Sequence, residues 1–272
     1  AITFWLIASL FATPAMAVEN PIEIAVEIHA RGYYPGEIVL LEIAAPADVT
    51  FSGRFLDNEL APCPIAPGRW MVLASIDLDS PLGDTPITLH ASRGDEVVHS
   101  WSKRVTIVDK EFPTEELTVD PKFIELSPEN VARTDREAAL LRKIFNYRTD
   151  QLHFSTNFSS PVPGAPSARF GERRVFNGVP KRPHTGADLR AATGTPVLAP
   201  TGGKVVLCAD LFYLGNVVVL DHGFGLISYY SHLSRISVDE GVVVAQGTIL
   251  GEVGATGRVT GPHLHWGVKL YD

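Results

Sequence analysis

The residues best suited to chemistry are histidines near the end of the chain. In His263-Leu264-His265, the two imidazoles are two positions apart inside a run with β character, continued by Trp266, Val268 and Leu270. Residues i and i+2 of a strand point to one face, so both rings emerge side by side. Such a pair is a chelator, an acid–base couple or a coincidence. His184-Thr185-Gly186-Ala187-Asp188 adds a nitrogen and a carboxylate oxygen where a loop enters a strand. Neutral imidazole and carboxylate are groups that zinc accepts, at about 2.0–2.2 Å. His184, Asp188 and one of the His263/His265 pair would give three protein ligands. That leaves the fourth tetrahedral position to water, as in catalytic rather than structural zinc sites. Tyr229-Tyr230-Ser231-His232-Leu233 brings a further imidazole. The chain has Cys 2 and no Cys-x-x-Cys, which excludes a closed thiolate cage.

These groups need a scaffold of 272 residues to place them, more than one core usually organises, so two domains are expected. A composition of 45% hydrophobic and 20% charged residues excludes disordered, collagen-like and coiled-coil chains. A net charge of −8 argues against a general nucleic-acid binder. The charge is divided unevenly: from Gly164 onward ten Lys/Arg face eight Asp/Glu, a local +2, which leaves −10 on the front. Five of the nine histidines fall in the last third.

Ile2 to Ala12 is a mostly apolar run, followed by Thr13-Pro14 and by Ala15-Met16-Ala17. The pattern predicts a signal peptide over 1–17 and export to the periplasm, the cell envelope or the medium. Eleven residues are too few to span a bilayer as a helix, which takes about 20. No later segment is long and apolar enough either. With neither Met nor a basic segment ahead of the run, the chain is expected to begin inside a longer sequence.

Residues 18–110 read as an immunoglobulin-like β-sandwich. Ile22, Ile24, Val26 and Ile28 alternate with Glu23, Glu27 and His29. Further strands are expected over 37–44, 50–55, 69–75, 85–91 and 97–108, separated by Pro, Gly, Asn and Asp turns. His29, His90 and His99 are scattered singly and read as ordinary strand or surface histidines. Residues 111–163 read as a linker with one helix, in which Ser127 caps the free N–H groups and Pro128 takes the first position. Val131, Ala138, Leu141 and Phe145 recur at helical spacing and predict its packing face. Residues 164–272 form the domain that carries the chemistry.

The set HTGAD (184–188), YYSHL (229–233) and TGRVTGPHLHWGV (256–268), in that order and spacing, resembles the lysostaphin-like (LytM-type) zinc metallopeptidases that cleave peptidoglycan cross-links. Phe170-Gly171-Glu172-Arg173-Arg174, Gly194-Thr195-Pro196-Val197-Leu198-Ala199-Pro200 and Leu214-Gly215-Asn216-Val217-Val218 look like that family too. The likeness covers roughly 167–271. It implies an antiparallel β metallopeptidase domain in which His184, Asp188 and His265 ligate a single zinc ion (Zn²⁺). It assigns catalytic roles to His232 and His263. His263, sharing a strand face with the ligand His265, is expected to act as the base. His232 would bind the developing oxyanion or protonate the leaving amine. The implied substrate is the peptide stem of peptidoglycan, with a D-Ala-to-diaminopimelate cross-link preferred to a glycine bridge. Family domains usually extend somewhat beyond Tyr271-Asp272.

A catalytically inactive peptidoglycan-binding scaffold, or an activator of another wall hydrolase with a regulatory protein partner, is the competing reading. Inactive relatives lack one or more ligands, whereas all five residues are present here. A biotinyl or lipoyl carrier, suggested by the glycine spacing from Gly241 to Gly254, fails because neither Lys204 nor Lys269 is placed to carry the group. His222 reads as a structural turn residue. Strand alternation points only one of Tyr229 and Tyr230 inward, where it would line the cleft or pack in the core. Arg173 and Asn177 read as parts of a solvated loop in preference to contacts with the peptide stem, and Cys63 and Cys208 as separate cysteines, Cys208 in a buried strand.

Overall fold

The computed structural model describes residues 22–121 and 125–270. The apolar run and its Ala-x-Ala site lie outside them. The front half contains β1 (Ala25–His29), β2 (Ile38–Ala44), β3 (Thr50–Phe55), β4 (Asn58–Leu60), β5 (Cys63–Ala66), β6 (Arg69–Ser75), β7 (Gly83–Arg93) and β8 (Glu96–Ile107). They form two antiparallel four-stranded sheets, ordered β1-β2-β6-β5 and β4-β3-β7-β8. Alternation explains the packing: Val39, Leu41 and Ile43 of β2 point into a core shared with Phe55, Val72, Ile87 and Leu89. Pairing starts at Ala25 rather than Ile22, yet Ile22 and Ile24 still lean on that core. β4 and β5 were not expected, since Asn58 and Pro64 are turn-type residues and both strands are short. β6 is buried on both faces: Trp70 and Val72 enter the sandwich core, while Met71 meets Phe154, Leu226 and Leu270 of the back half.

The connecting segment carries more structure than a linker with one helix. β9 (Thr114–Leu117) runs parallel to β11 (Arg173–Phe176), which also pairs with β12 (Val179–Pro180). α1 spans Pro128–Phe145; Ser127 Oγ accepts from the Asn130 N–H at its start. Its packing face is narrower than the spacing suggests. Leu141, Ile144 and Phe145 press on Leu207, Val217, Val219, Ile227 and Tyr229, while Val131 and Ala138 are exposed. The middle of the helix is held by polar contacts instead: Glu137 accepts from the Phe212 N–H, and Arg133 donates to the Asp210 carbonyl.

The back half is a nine-stranded sheet of β10 (Pro166–Ala168), β13 (Ala187–Leu189), β14 (Pro196–Leu198), β15 (Gly203–Leu211), β16 (Gly215–Gly223), β17 (Leu226–Ile236), β18 (Val243–Val244), β19 (Ile249–Val253) and β20 (Leu264–Leu270). Its main path runs β10-β13-β20-β17-β16-β15-β18, antiparallel throughout, with β19 attached to β17 and β14 to β19. β16 and most of β17 are buried on both faces, by the core of Val218, Leu220, Tyr230 and Leu233 on one side and by α1 on the other.

Candidate metal centre and its cleft

The neighbouring strands β13, β20 and β17 set the site. Asp188 stands directly opposite His265 across the β13–β20 ladder, and His265 opposite Ser231 across β20–β17. Leu264, between the two histidines, is fully buried in the core, which leaves His263 and His265 on the other face. His184 arrives from the loop before β13. Gly186 in that loop has no room for a side chain: a Cβ there would lie 2.8 Å from the His265 ring and 2.6 Å from the Trp266 carbonyl.

Asp188 Oδ1 lies 3.0 Å from His184 Nε2 and 2.8 Å from His265 Nδ1, and those two nitrogens are 2.9 Å apart. His184, Asp188 and His265 are all buried, and their ligand atoms lie within 4.8 Å of one another. The outer nitrogens are engaged elsewhere. His184 Nδ1–H donates to the Arg169 carbonyl at 3.0 Å, because a carbonyl can only accept. His265 Nε2 lies 3.4 Å from the Tyr229 hydroxyl, which also reaches Thr185 Oγ1 at 3.1 Å. With its outer nitrogen protonated, a neutral His184 turns a bare lone pair towards the carboxylate, and His265 does the same in the tautomer that donates Nε2–H to the Tyr229 hydroxyl. Three such donors about 3 Å apart repel one another unless a cation lies among them, and two imidazoles with one carboxylate form a donor set that zinc accepts. The residues fit a metal ion.

Arg174 completes the surroundings, its Nη2 donating to Asp188 Oδ2 at 2.5 Å. Behind it, Glu115 of β9 places Oε2 3.6 Å from Arg174 Nε. Burial lowers His265, against the opposing pull of Asp188.

His232 reaches this face through a defect in the sheet. Simple alternation would put it beside Tyr230, which is fully buried in the core. The β16–β17 register shifts between Asn216 and Val218, and His232 takes φ 65°, in the left-handed region that L side chains seldom adopt. This bulge re-aims the imidazole towards the cleft. Its ring centroid is 4.9 Å from that of His263 and 6.0 Å from that of His265. His232 Nδ1–H donates to the Thr256 carbonyl and His263 Nδ1–H to the Gly261 carbonyl, each at 2.9 Å. Each ring therefore presents a free Nε2, that of His263 3.6 Å from Asp188 Oδ1. Burial, reinforced by His263 and His265, pushes the His232 imidazole down to about 3, so it is neutral at physiological pH.

The five expected residues thus line one open cleft of about 660 Å³. Of the two tyrosines, Tyr229 faces this cleft while Tyr230 bonds Ser228 in the core. His222 is fully buried, bridging the Gly202 carbonyl and Ser228, with burial lowering its pKa. Arg173 is exposed, whereas Asn177 fastens the connecting segment through two hydrogen bonds to the Val119 backbone. Cys63 and Cys208 are free thiols. Sequence reasoning did not single out Arg174, Glu115 or Arg258. Strand alternation could have separated Arg174 from exposed Arg173. Glu115 carried no local signal, because its place depends on a parallel pairing across 59 positions, from 115 to 174.

Residues 182–272 match Peptidase family M23. A crystal structure of an M23 peptidase from Pseudomonas aeruginosa superposes with a TM-score of 0.65 at 30% identity, covering 87% of this chain and 90% of that one. The chain therefore belongs to Peptidase family M23. It is 45% identical over 102 residues to the peptidoglycan DD-endopeptidase ShyA of Vibrio cholerae, a match covering 37% of this chain and 24% of that protein. It is 43% identical over 89 residues to the DD-carboxypeptidase/endopeptidase Mpg of Neisseria meningitidis, covering 33% and 20% respectively. The chain thus matches about a quarter or less of the length of these curated relatives.

Proposed function

We propose that the chain is an exported, zinc-dependent endopeptidase that hydrolyses amide bonds in the peptide cross-links of peptidoglycan. The observation that carries this reading is the convergence of His184 Nε2, His265 Nδ1 and Asp188 Oδ1 to 2.8–3.0 Å of one another, with His232 and His263 beside them. His184, Asp188 and His265 would hold a single zinc ion. Such an ion supplies Lewis acidity to the scissile carbonyl and lowers the pKa of water towards neutrality.

The remaining work falls to the protein. Arg169 and Tyr229 fix the ring orientations of His184 and His265. His263 Nε2, free and beside Asp188, takes the proton of the attacking water. His232, neutral at rest with its own Nε2 free and its ring 4.9 Å from that of His263, takes over the proton that His263 drew from the water and passes it to the leaving amine. The named relatives act on peptidoglycan, and the apolar run with its Ala-x-Ala site supports export to the envelope where that substrate lies. No helix among the described residues is long and apolar enough to cross a membrane.

The test is mass analysis of cross-linked muropeptides incubated with the zinc-loaded protein. Dimers should be converted to monomers, a chelator should stop this, and added zinc should restore it. Intact dimers after incubation with fully loaded protein would contradict the proposal and favour a binding scaffold.

A further inference from the structure

The cleft is basic although the chain carries −8: Lys181, Arg182, Arg190, Arg174 and Arg258 line it, against Glu115 and Asp188. Arg174 is committed to both carboxylates. Arg258 is different. Its guanidinium carbon lies 4.4 Å from the Tyr213 ring centroid and 4.9 Å from that of Phe176, held between two aromatic rings. No carboxylate among the described residues pairs with it. Burial holds its pKa below the usual guanidinium value, and Arg174 adds repulsion. An anion in the cleft would relieve both.

The backbone holding this side chain is rigid and tied to the catalytic histidine. Arg258 N–H donates to the Tyr213 carbonyl at 2.9 Å. Gly257, at φ 74°, lets the turn approach Gly215 so closely that a Cβ would lie 2.4 Å from its nitrogen. One residue earlier, the Thr256 carbonyl accepts from His232. A single turn thus orients His232 and presents a planar, ring-stacked, unpaired guanidinium to the same cleft, an arrangement suited to a carboxylate.

We propose that Arg258 is a specificity-determining residue that binds a free carboxylate of the substrate peptide adjacent to the amide to be cleaved. This rests on the peptidase reading above and refines it. In a D-Ala-to-diaminopimelate cross-link, the diaminopimelate carbon bearing the amide nitrogen also bears a carboxylate. The interior of a glycine bridge offers none. Arg258 therefore selects the first kind of cross-link over the second.

The test uses the full zinc-loaded chain and an uncross-linked stem peptide, which an endopeptidase leaves intact. Its diaminopimelate side-chain carboxylate is either free or converted to the primary amide. Calorimetry should show wild type binding the free acid about 10- to 100-fold more tightly than the amide, the range expected for a charged hydrogen bond. R258Q should bind the two forms alike, and R258K should keep part of the preference, with melting curves showing both variants folded. An undiminished acid preference in R258Q, or no preference in wild type, would overturn the assignment. Cleavage of cross-linked dimers is followed in parallel. Its absence beside an Arg258-dependent acid preference would count against the hydrolase reading and leave the carboxylate site standing.

Discussion

Every imidazole around Asp188 has one nitrogen held by a neighbouring carbonyl or hydroxyl and the other turned into the site, and this division assigns the work of each side chain. His184 Nε2 and His265 Nδ1 meet at the carboxylate; His232 and His263 have Nδ1 tied to backbone carbonyls and Nε2 turned to the cleft. In H232A the three ligands are untouched, so zinc content should equal that of wild type while turnover falls by about 10²- to 10⁴-fold, as loss of a proton-transfer group costs. A normal rate in H232A would remove that residue from the mechanism. Y229F deletes the hydroxyl beside His265 Nε2, and its zinc affinity, read by competition with a chromogenic chelator, should drop by about 10- to 100-fold. An unchanged affinity would show that the ring is oriented without it. The thiols of Cys63 and Cys208 are both raised to about 11 by burial, which disfavours the reactive thiolate. Ellman's reagent should react slowly with native protein and find both thiols after unfolding without reductant. Absence of free thiols in the unfolded chain would mean they had paired.

Strand period alone was enough to put His263 and His265 on one face, because β20 is regular there. It could not place His232. In β17 the two-residue rhythm predicts the core face, and only the bulge with its left-handed residue reverses that. The sandwich strands were legible where apolar alternation is long, as in β2 and β7, and illegible in β4, β5 and β9, which are held by pairing rather than by side-chain pattern. β9 matters for the site: it brings Glu115 to Arg174, and through it to Asp188. E115Q should therefore weaken zinc binding while leaving the melting temperature nearly unchanged; unaltered affinity would reduce β9 to a structural edge. His222, clamped between the Gly202 carbonyl just ahead of β15 and Ser228 of β17, supplies a pH test. Its folded pKa lies below its unfolded value, so the unfolded chain binds protons more readily, and stability falls as pH drops below about 6.5. Melting temperatures from pH 7.5 to pH 5 should decline less steeply in H222Q than in wild type. Parallel slopes would show that another group carries the acid sensitivity.

The molecule as a whole joins an acidic front to a basic cleft. Leu40, Leu73 and Met71 on the outer face of the sandwich meet Phe154, Leu226 and Leu270, and β9 crosses from one half to the edge of the other. That continuity fits the match to a Pseudomonas aeruginosa structure over 87% of the chain, well beyond the 182–272 stretch that defines the family. The site's assembly from segments 81 positions apart, between 184 and 265, depends on that framework being in register. Metal analysis of protein dialysed against trace zinc tests this account most directly, performed on wild type, H184A, D188N and H265A. Wild type should retain one zinc per chain and each variant close to none, with all four folded by circular dichroism. A wild type without zinc, or an H184A or H265A that keeps its full complement, would contradict the assignment of these three side chains to one ion.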